Sequence, residues 1–113
     1  MEIKSLGPLR EFSQERFTKR VIHKKGDSVV FVLNFGPGQE LPTHNHPGTA
    51  VYLLVLSGSG EIVINGVPSA VAKDDVVWVD GEEQFAFRNT GSEQVSLYVA
   101  LATVPDERYA QNV

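Results

Sequence analysis

The sequence predicts an all-β domain in which short antiparallel strands form a sandwich or barrel. Runs of β-branched and aromatic residues alternate with clusters of Gly, Pro, Asn and Asp, a pattern typical of such folds. Apolar residues nowhere recur at the three-to-four spacing of an amphipathic helix over a dozen residues. A chain of 113 residues with 42% hydrophobic side chains can build one core without disulfides.

The first half of the chain contains three predicted strands. Residues 17–25 and 28–35 are rich in β-branched and aromatic side chains, and Gly26-Asp27 between them predicts a turn. Gly36-Pro37-Gly38 then begins a loop. Residues 50–56 (AVYLLVL) are wholly apolar, which predicts a buried strand.

The second half of the chain also alternates predicted strands with predicted turns. Ser57–Gly60 predicts a turn into a strand over residues 61–64. Asn65-Gly66 lies between two apolar runs, and both residue types tolerate the positive φ of a type I′ hairpin turn. The remaining predicted strands are residues 76–79, 84–89 and 95–104, with peripheral arms at residues 1–12 and 105–113. The whole chain, residues 1–113, is therefore interpreted as one domain.

Charge and hydropathy exclude several classes of partner. The net charge is −4, and the seven basic residues within residues 1–25 are interspersed with Phe, Val and Ile, as on a solvated strand face. Nucleic acid is therefore not the expected partner, because phosphate binding needs a concentrated basic surface. The longest apolar run, residues 50–56, is too short to cross a membrane. Without a visible signal peptide, the expected location is the cytoplasm.

Several predicted strands are apolar on both faces. In residues 50–56, 29–33 and 97–101 the two alternating sets of side chains are both hydrophobic. A strand that is buried on both sides needs a cover on each face. In so small a chain the second cover is expected to be another subunit, which predicts a homodimer formed through a sheet face.

The candidate metal ligands of the sequence are His44 and His46. Two residues at i and i+2 on an extended segment project to the same side, so their imidazoles can approach one metal ion. Five residues separate Gly38 from His44, four separate His46 from Val51, and six separate Val51 from Gly58. This spacing resembles the first conserved motif of the cupin family, in which a Gly, an HxH pair, a Glu and a Gly stand at these positions. The second cupin motif can be laid without gaps on residues 74–89.

The resemblance implies a cupin double-stranded β-helix, or jelly-roll barrel, with part of its metal site changed. Cupin metal sites typically use two His and a Glu from the first motif and a His from the second. His44 and His46 match, whereas Val51 and Phe85 replace the other two ligands. Gln84, beside the lost His position, is a candidate weak fourth donor if a β-bulge or a one-residue slip turns it inward. A divalent Fe, Mn, Ni or Zn ion with two firm ligands would be held weakly.

The resemblance also implies a pocket, because cupin barrels are open at one end. By motif position and strand parity, the expected pocket residues are Val51, Leu53, Phe85, Phe87 and Asn89. The leading hypothesis is a binding module for a small organic molecule with an aromatic or aliphatic body. The alternative is a metal-dependent enzyme of the dioxygenase, decarboxylase or isomerase type. Metal-free acid–base catalysis by His44 or His46, and aromatic side chains that fill the barrel completely, are further alternatives.

Overall fold

Two antiparallel β-sheets enclose one apolar core. The structure is a computed structural model that describes residues 1–102. In these residues the strands are β1 (Thr18–Lys25), β2 (Ser28–Phe35), β3 (Glu40–His44), β4 (Ala50–Ser57), β5 (Ser59–Ile64), β6 (Val67–Ala72), β7 (Val76–Asp80), β8 (Phe85–Arg88) and β9 (Val95–Ala102). A 3₁₀ turn, Gly7–Leu9, precedes them. No helix in this part of the chain is long and apolar enough to cross a membrane.

The sheets confirm the all-β antiparallel prediction. One has five strands in the order β1-β2-β9-β4-β7, and the other has four in the order β3-β8-β5-β6. Every strand pair is antiparallel. Neighbours such as β2 with β9 and β3 with β8 are distant in sequence, so the chain crosses repeatedly between the sheets, as in a jelly roll.

The predicted turns at Gly26-Asp27 and Asn65-Gly66 are confirmed, the one predicted at Ser57–Gly60 is reduced to Gly58 between β4 and β5, and a strand lies where a loop was expected. Asn65 (φ 49°) and Gly66 (φ 82°) both have the positive φ of a type I′ turn, and they join β5 to β6. The chain around Glu40–His44 was expected to be a loop, but it forms β3. Pro42 and a single core-contacting side chain, Leu41, hide this strand from sequence patterns, because its pairing with β8 is a tertiary effect. The predicted arm at residues 105–113 lies outside the described residues.

The N-terminal arm, residues 1–12, covers part of the outer face of the five-stranded sheet. The Asn34 side-chain amide donates a hydrogen bond to the Leu9 carbonyl oxygen at 2.9 Å, and Asn34 is fully buried. The Arg10 guanidinium donates to Ser57 Oγ at 2.7 Å. Val32, which faces the same side as Asn34, is also fully buried. The chain therefore supplies its own cover for the β1–β2–β9 side of this face.

Another part of the same outer face is left uncovered by residues 1–102. Tyr52 pairs with Trp78 across β4 and β7, and Leu54 pairs with Val76. Trp78 is 63% exposed and Val76 is 73% exposed, although both are large and apolar. Tyr52, Val76 and Trp78 are called the uncovered patch below.

Candidate functional site

A cavity of about 200 Å³ lies between the two sheets, beneath the two histidines. Its lining combines six apolar side chains with three that carry nitrogen. The lining residues are Phe17, Lys19, Phe31, Leu33, Leu41, His44, His46, Phe85 and Val99. They come from β1, β2, β3, β8 and β9 and from the segments before β1 and after β3. This group is called the histidine cavity below.

His44 is the last residue of β3, and its ring orientation is fixed by a local hydrogen bond. Its Nδ1 lies 2.8 Å from the Pro42 carbonyl oxygen. A carbonyl can only accept, so Nδ1 carries the hydrogen and the neutral ring keeps its lone pair on Nε2. The ring lies 4.2 Å from the Phe85 ring between centroids, and 4.9 Å from the His46 ring at nearly a right angle.

His46 is held in place by its backbone. Its N–H donates to the Gly81 carbonyl oxygen at 2.8 Å, and its own carbonyl accepts from the Thr49 N–H at 3.1 Å. A Cβ on Gly81 would collide with the carbonyl oxygens of Thr49 and His46. Only glycine therefore allows the loop after β7 to approach the histidine loop this closely. Gly81 is a positioning residue that was not singled out from the sequence.

Electrostatics favour a neutral imidazole at His46. Burial lowers the pKa of His46 below its usual 6.5, and His44 and then Lys19 lower it further. Lys19 reaches the same region from β1, with Nζ 4.3 Å from the centre of the Phe31 ring. The histidine cavity thus presents unprotonated nitrogen and one ammonium group against apolar walls.

The structure brings together only some of the residues proposed from the sequence. His44, His46 and Phe85 line the histidine cavity. Val51, Leu53 and Phe87 are almost wholly buried, but they pack in the core and do not line the cavity.

The two remaining candidates, Gln84 and Asn89, also lie away from the cavity. Gln84 is exposed, and its backbone N–H donates to Asn65 Oδ1 at 2.9 Å. Asn89 is buried, and its side-chain amide donates to the carbonyl oxygens of Phe35 at 3.2 Å and Glu93 at 2.7 Å. Neither residue lines the histidine cavity.

The lining residues that the sequence did not suggest are mainly on β1, β2 and β9. Phe31 and Leu33 share strand parity with Phe35, so alternation places them inside the barrel. Parity could not show that they border a cavity, because that depends on what faces them. Lys19 carried no signal, since basic residues on β1 look like those of a solvated strand face.

The donor set does not fit a tightly bound metal ion. The cavity offers two imidazoles and no carboxylate, and Lys19 brings a positive charge to the same space. In residues 1–102 no group of three or more His, Cys, Asp or Glu side chains is placed to hold a metal. Stable protein sites for Zn or non-haem Fe use three or more such ligands.

Comparisons with known proteins agree on the fold. A family model described as "Cupin domain" matches residues 31–101. An uncharacterized conserved protein with a double-stranded β-helix domain from Klebsiella pneumoniae superposes with a TM-score of 0.84 at 26% identity, over 90% of each chain. An RmlC-like cupin protein from Desulfovibrio desulfuricans superposes with a TM-score of 0.75 at 24% identity, over 88% of this chain and 96% of the other.

One curated relative has a named activity. It is the dimethylsulfoniopropionate lyase DddW of Ruegeria pomeroyi, 34% identical over 58 residues. Those residues are 51% of this chain but only 38% of the lyase. The match therefore spans well under half of the lyase.

Proposed function

The chain belongs to the cupin domain family, and from this premise we propose that it binds a small organic molecule in the histidine cavity. The observation that carries the proposal is the cavity itself, a partly open space of about 200 Å³ at one end of the barrel. Ligand sites are typically concave, mostly apolar and lined by a few polar groups, and the histidine cavity has this composition.

Size and lining define the kind of molecule. An apolar protein cavity of roughly 150 Å³ can hold benzene, so about 200 Å³ suits a single ring or a short branched chain with one polar group. The Phe31 and Phe85 rings offer apolar walls for such a body. The two imidazoles and the Lys19 ammonium are the polar groups of the cavity.

We propose that the cavity binds a divalent metal ion only weakly. Fe(II), Mn(II), Ni(II) or Zn(II) could use only His44 and His46 as firm ligands, because Gln84 lies outside the cavity. We therefore expect weak binding that a His44→Ala/His46→Ala double variant abolishes. Calorimetric titration of untagged protein measures it, and stoichiometric tight binding would contradict this part of the proposal.

Ligand binding itself is tested by filling the cavity. Val99 lines the cavity and is 2% exposed, so Val99→Phe places a ring in the ligand's space. Val67→Phe is the matched control, since Val67 is 65% exposed on β6. In ¹H–¹⁵N spectra, monocyclic compounds should shift signals around His44 and His46 in the wild type and in Val67→Phe, but not in Val99→Phe. Absence of such shifts in the wild type, or equal shifts in all three proteins, would sink the proposal.

An enzyme is the second candidate. The likeness to a dimethylsulfoniopropionate lyase supports an activity of the lyase type, and a neutral His46 could accept a proton within the apolar cavity. Incubation with dimethylsulfoniopropionate, followed by proton NMR, tests one substrate directly. Turnover that is lost in His46→Gln but kept in His23→Gln would favour the enzyme over the binding module.

We also propose that the uncovered patch packs against a second copy of the chain. The N-terminal arm covers only part of this sheet face, and an identical apolar patch can cover the rest symmetrically about a two-fold axis. Trp78→Glu should then convert a dimer to a monomer in light scattering, whereas Val67→Glu should not. A monomeric wild-type protein would refute this.

A cytoplasmic location and the lack of a nucleic-acid partner stay predictions of the sequence.

A further inference from the structure

Lys19 contributes the fixed positive charge of the histidine cavity. Its side chain lines the cavity from β1, and its ammonium lies 4.3 Å from the centre of the Phe31 ring. Phe31 is only 5% exposed, whereas Lys19 itself is exposed. The ammonium is therefore at the rim, where one side faces the apolar interior and the other faces water.

Within residues 1–102, the charge of Lys19 has no carboxylate partner. The ion pairs there join Arg20 to Glu11, His23 to Glu2 and Arg88 to Glu61. Arg20, the next residue on β1, is thus occupied on the opposite side of the strand. Lys19 and His46 line the same cavity of about 200 Å³, so one small ligand could contact both groups.

The geometry points to a small monocarboxylate with an aromatic or branched aliphatic body as the ligand of the histidine cavity. This inference rests on the proposed function and adds the chemical class of the ligand. The carboxylate would pair with the Lys19 ammonium at the rim, and the body would pack between Phe31 and Phe85. One ammonium balances one negative charge, whereas the apolar walls offer nothing to balance the second charge of a phosphate monoester.

The test compares three probes of similar shape: benzoate, its neutral analogue benzamide, and phenyl phosphate. Binding to the full chain is measured by NMR titration at neutral pH. Benzoate should bind about tenfold more tightly than benzamide, since an ion pair at a partly desolvated rim adds roughly this factor. Lys19→Met keeps the aliphatic stem and removes the charge, so it should erase the preference for benzoate. Lys19→Arg keeps a positive charge at this position and should retain the preference for benzoate.

Lys24→Met is the matched control, because Lys24 is on the same strand but does not line the cavity. It should bind the three probes as the wild type does. Equal binding of benzoate and benzamide, or an unchanged preference in Lys19→Met, would overturn the carboxylate inference and leave the small-molecule cavity standing. Tighter binding of phenyl phosphate than of benzoate would also overturn it. If no probe binds, the proposed function fails as well.

Discussion

The barrel interior has two halves that are built from the same strands but packed differently. In one half, Phe35 and Phe87 lie 4.9 Å apart between ring centroids, and both are fully buried. In the other half, Phe31 and Phe85 occur two or four residues away on the same strands and border a cavity of about 200 Å³. The first pair fills its space, and the second pair lines an opening beneath the histidines.

The difference shows that strand parity and position along the barrel axis are separate properties. Alternation predicts which side chains face inward, and it does so for all four phenylalanines. Whether an inward side chain is core or cavity wall depends on its neighbours across the sheets. The packed half supports stability, and the cavity half is where we propose that a ligand binds.

The largest expected effect comes from truncating the packed half. Phe87→Ala should lower the free energy of unfolding by about 3–5 kcal/mol, because it removes buried surface and leaves a new void. Phe85→Ala should cost only about 2 kcal/mol, close to the transfer term alone, since space already exists beside that ring. Urea denaturation measures both. Equal losses would mean that the two halves are packed alike.

A smaller loss is expected for Asn89→Ala. The variant leaves the carbonyl oxygens of Phe35 and Glu93 without their side-chain donor, which should cost about 1–3 kcal/mol. Probe binding in the cavity should not change, because Asn89 does not line it. Gln84→Ala, at an exposed position, is the control and should change neither property. Weaker probe binding in a stable Asn89→Ala variant would show that Asn89 takes part in ligand binding.

Acidification should lower the stability of the fold through His46. The folded state lowers the pKa of His46, so the unfolded chain binds the proton more readily. Burial disfavours the charged ring most, followed by His44 on β3 and Lys19 on β1. The stability that a neutral His46 contributes is present above pH 6.5 and is lost as the pH falls through the lowered value.

The melting temperature is measured about one unit above and one unit below pH 6.5. It should fall further for the wild type than for His46→Asn. Identical drops would remove His46 as the cause.

The smallest expected effect is a gain in stability. Asp74 has a φ of 76°, a conformation that costs an L-residue energy and glycine almost none. Asp74→Gly should stabilise the fold by no more than about 1 kcal/mol, because glycine also loses more entropy on folding. Asp27→Gly, whose φ is not in this region, should give no gain. A loss of stability in thermal unfolding for Asp74→Gly would show that the Asp side chain stabilises its turn.

Local patterns predicted most of the fold and a part of the site. The turn at Asn65-Gly66 and the strand over residues 28–35 follow from residue type alone, and both are as expected. The HxH pair was visible because it stands at a family spacing, and the structure places both rings in one cavity. β3 was missed because its pairing comes from β8 and not from its own residues.

Short-range patterns and spacing were enough to predict the family, the antiparallel strands and the presence of two adjacent imidazoles. Which inward side chains line the cavity depends on how the strands pack together. Lys19, Phe31 and Val99 come from three different strands, and their meeting with His46 depends on sheet order and on the close approach at Gly81. Such contacts join residues that are far apart in the chain, and no local pattern records them.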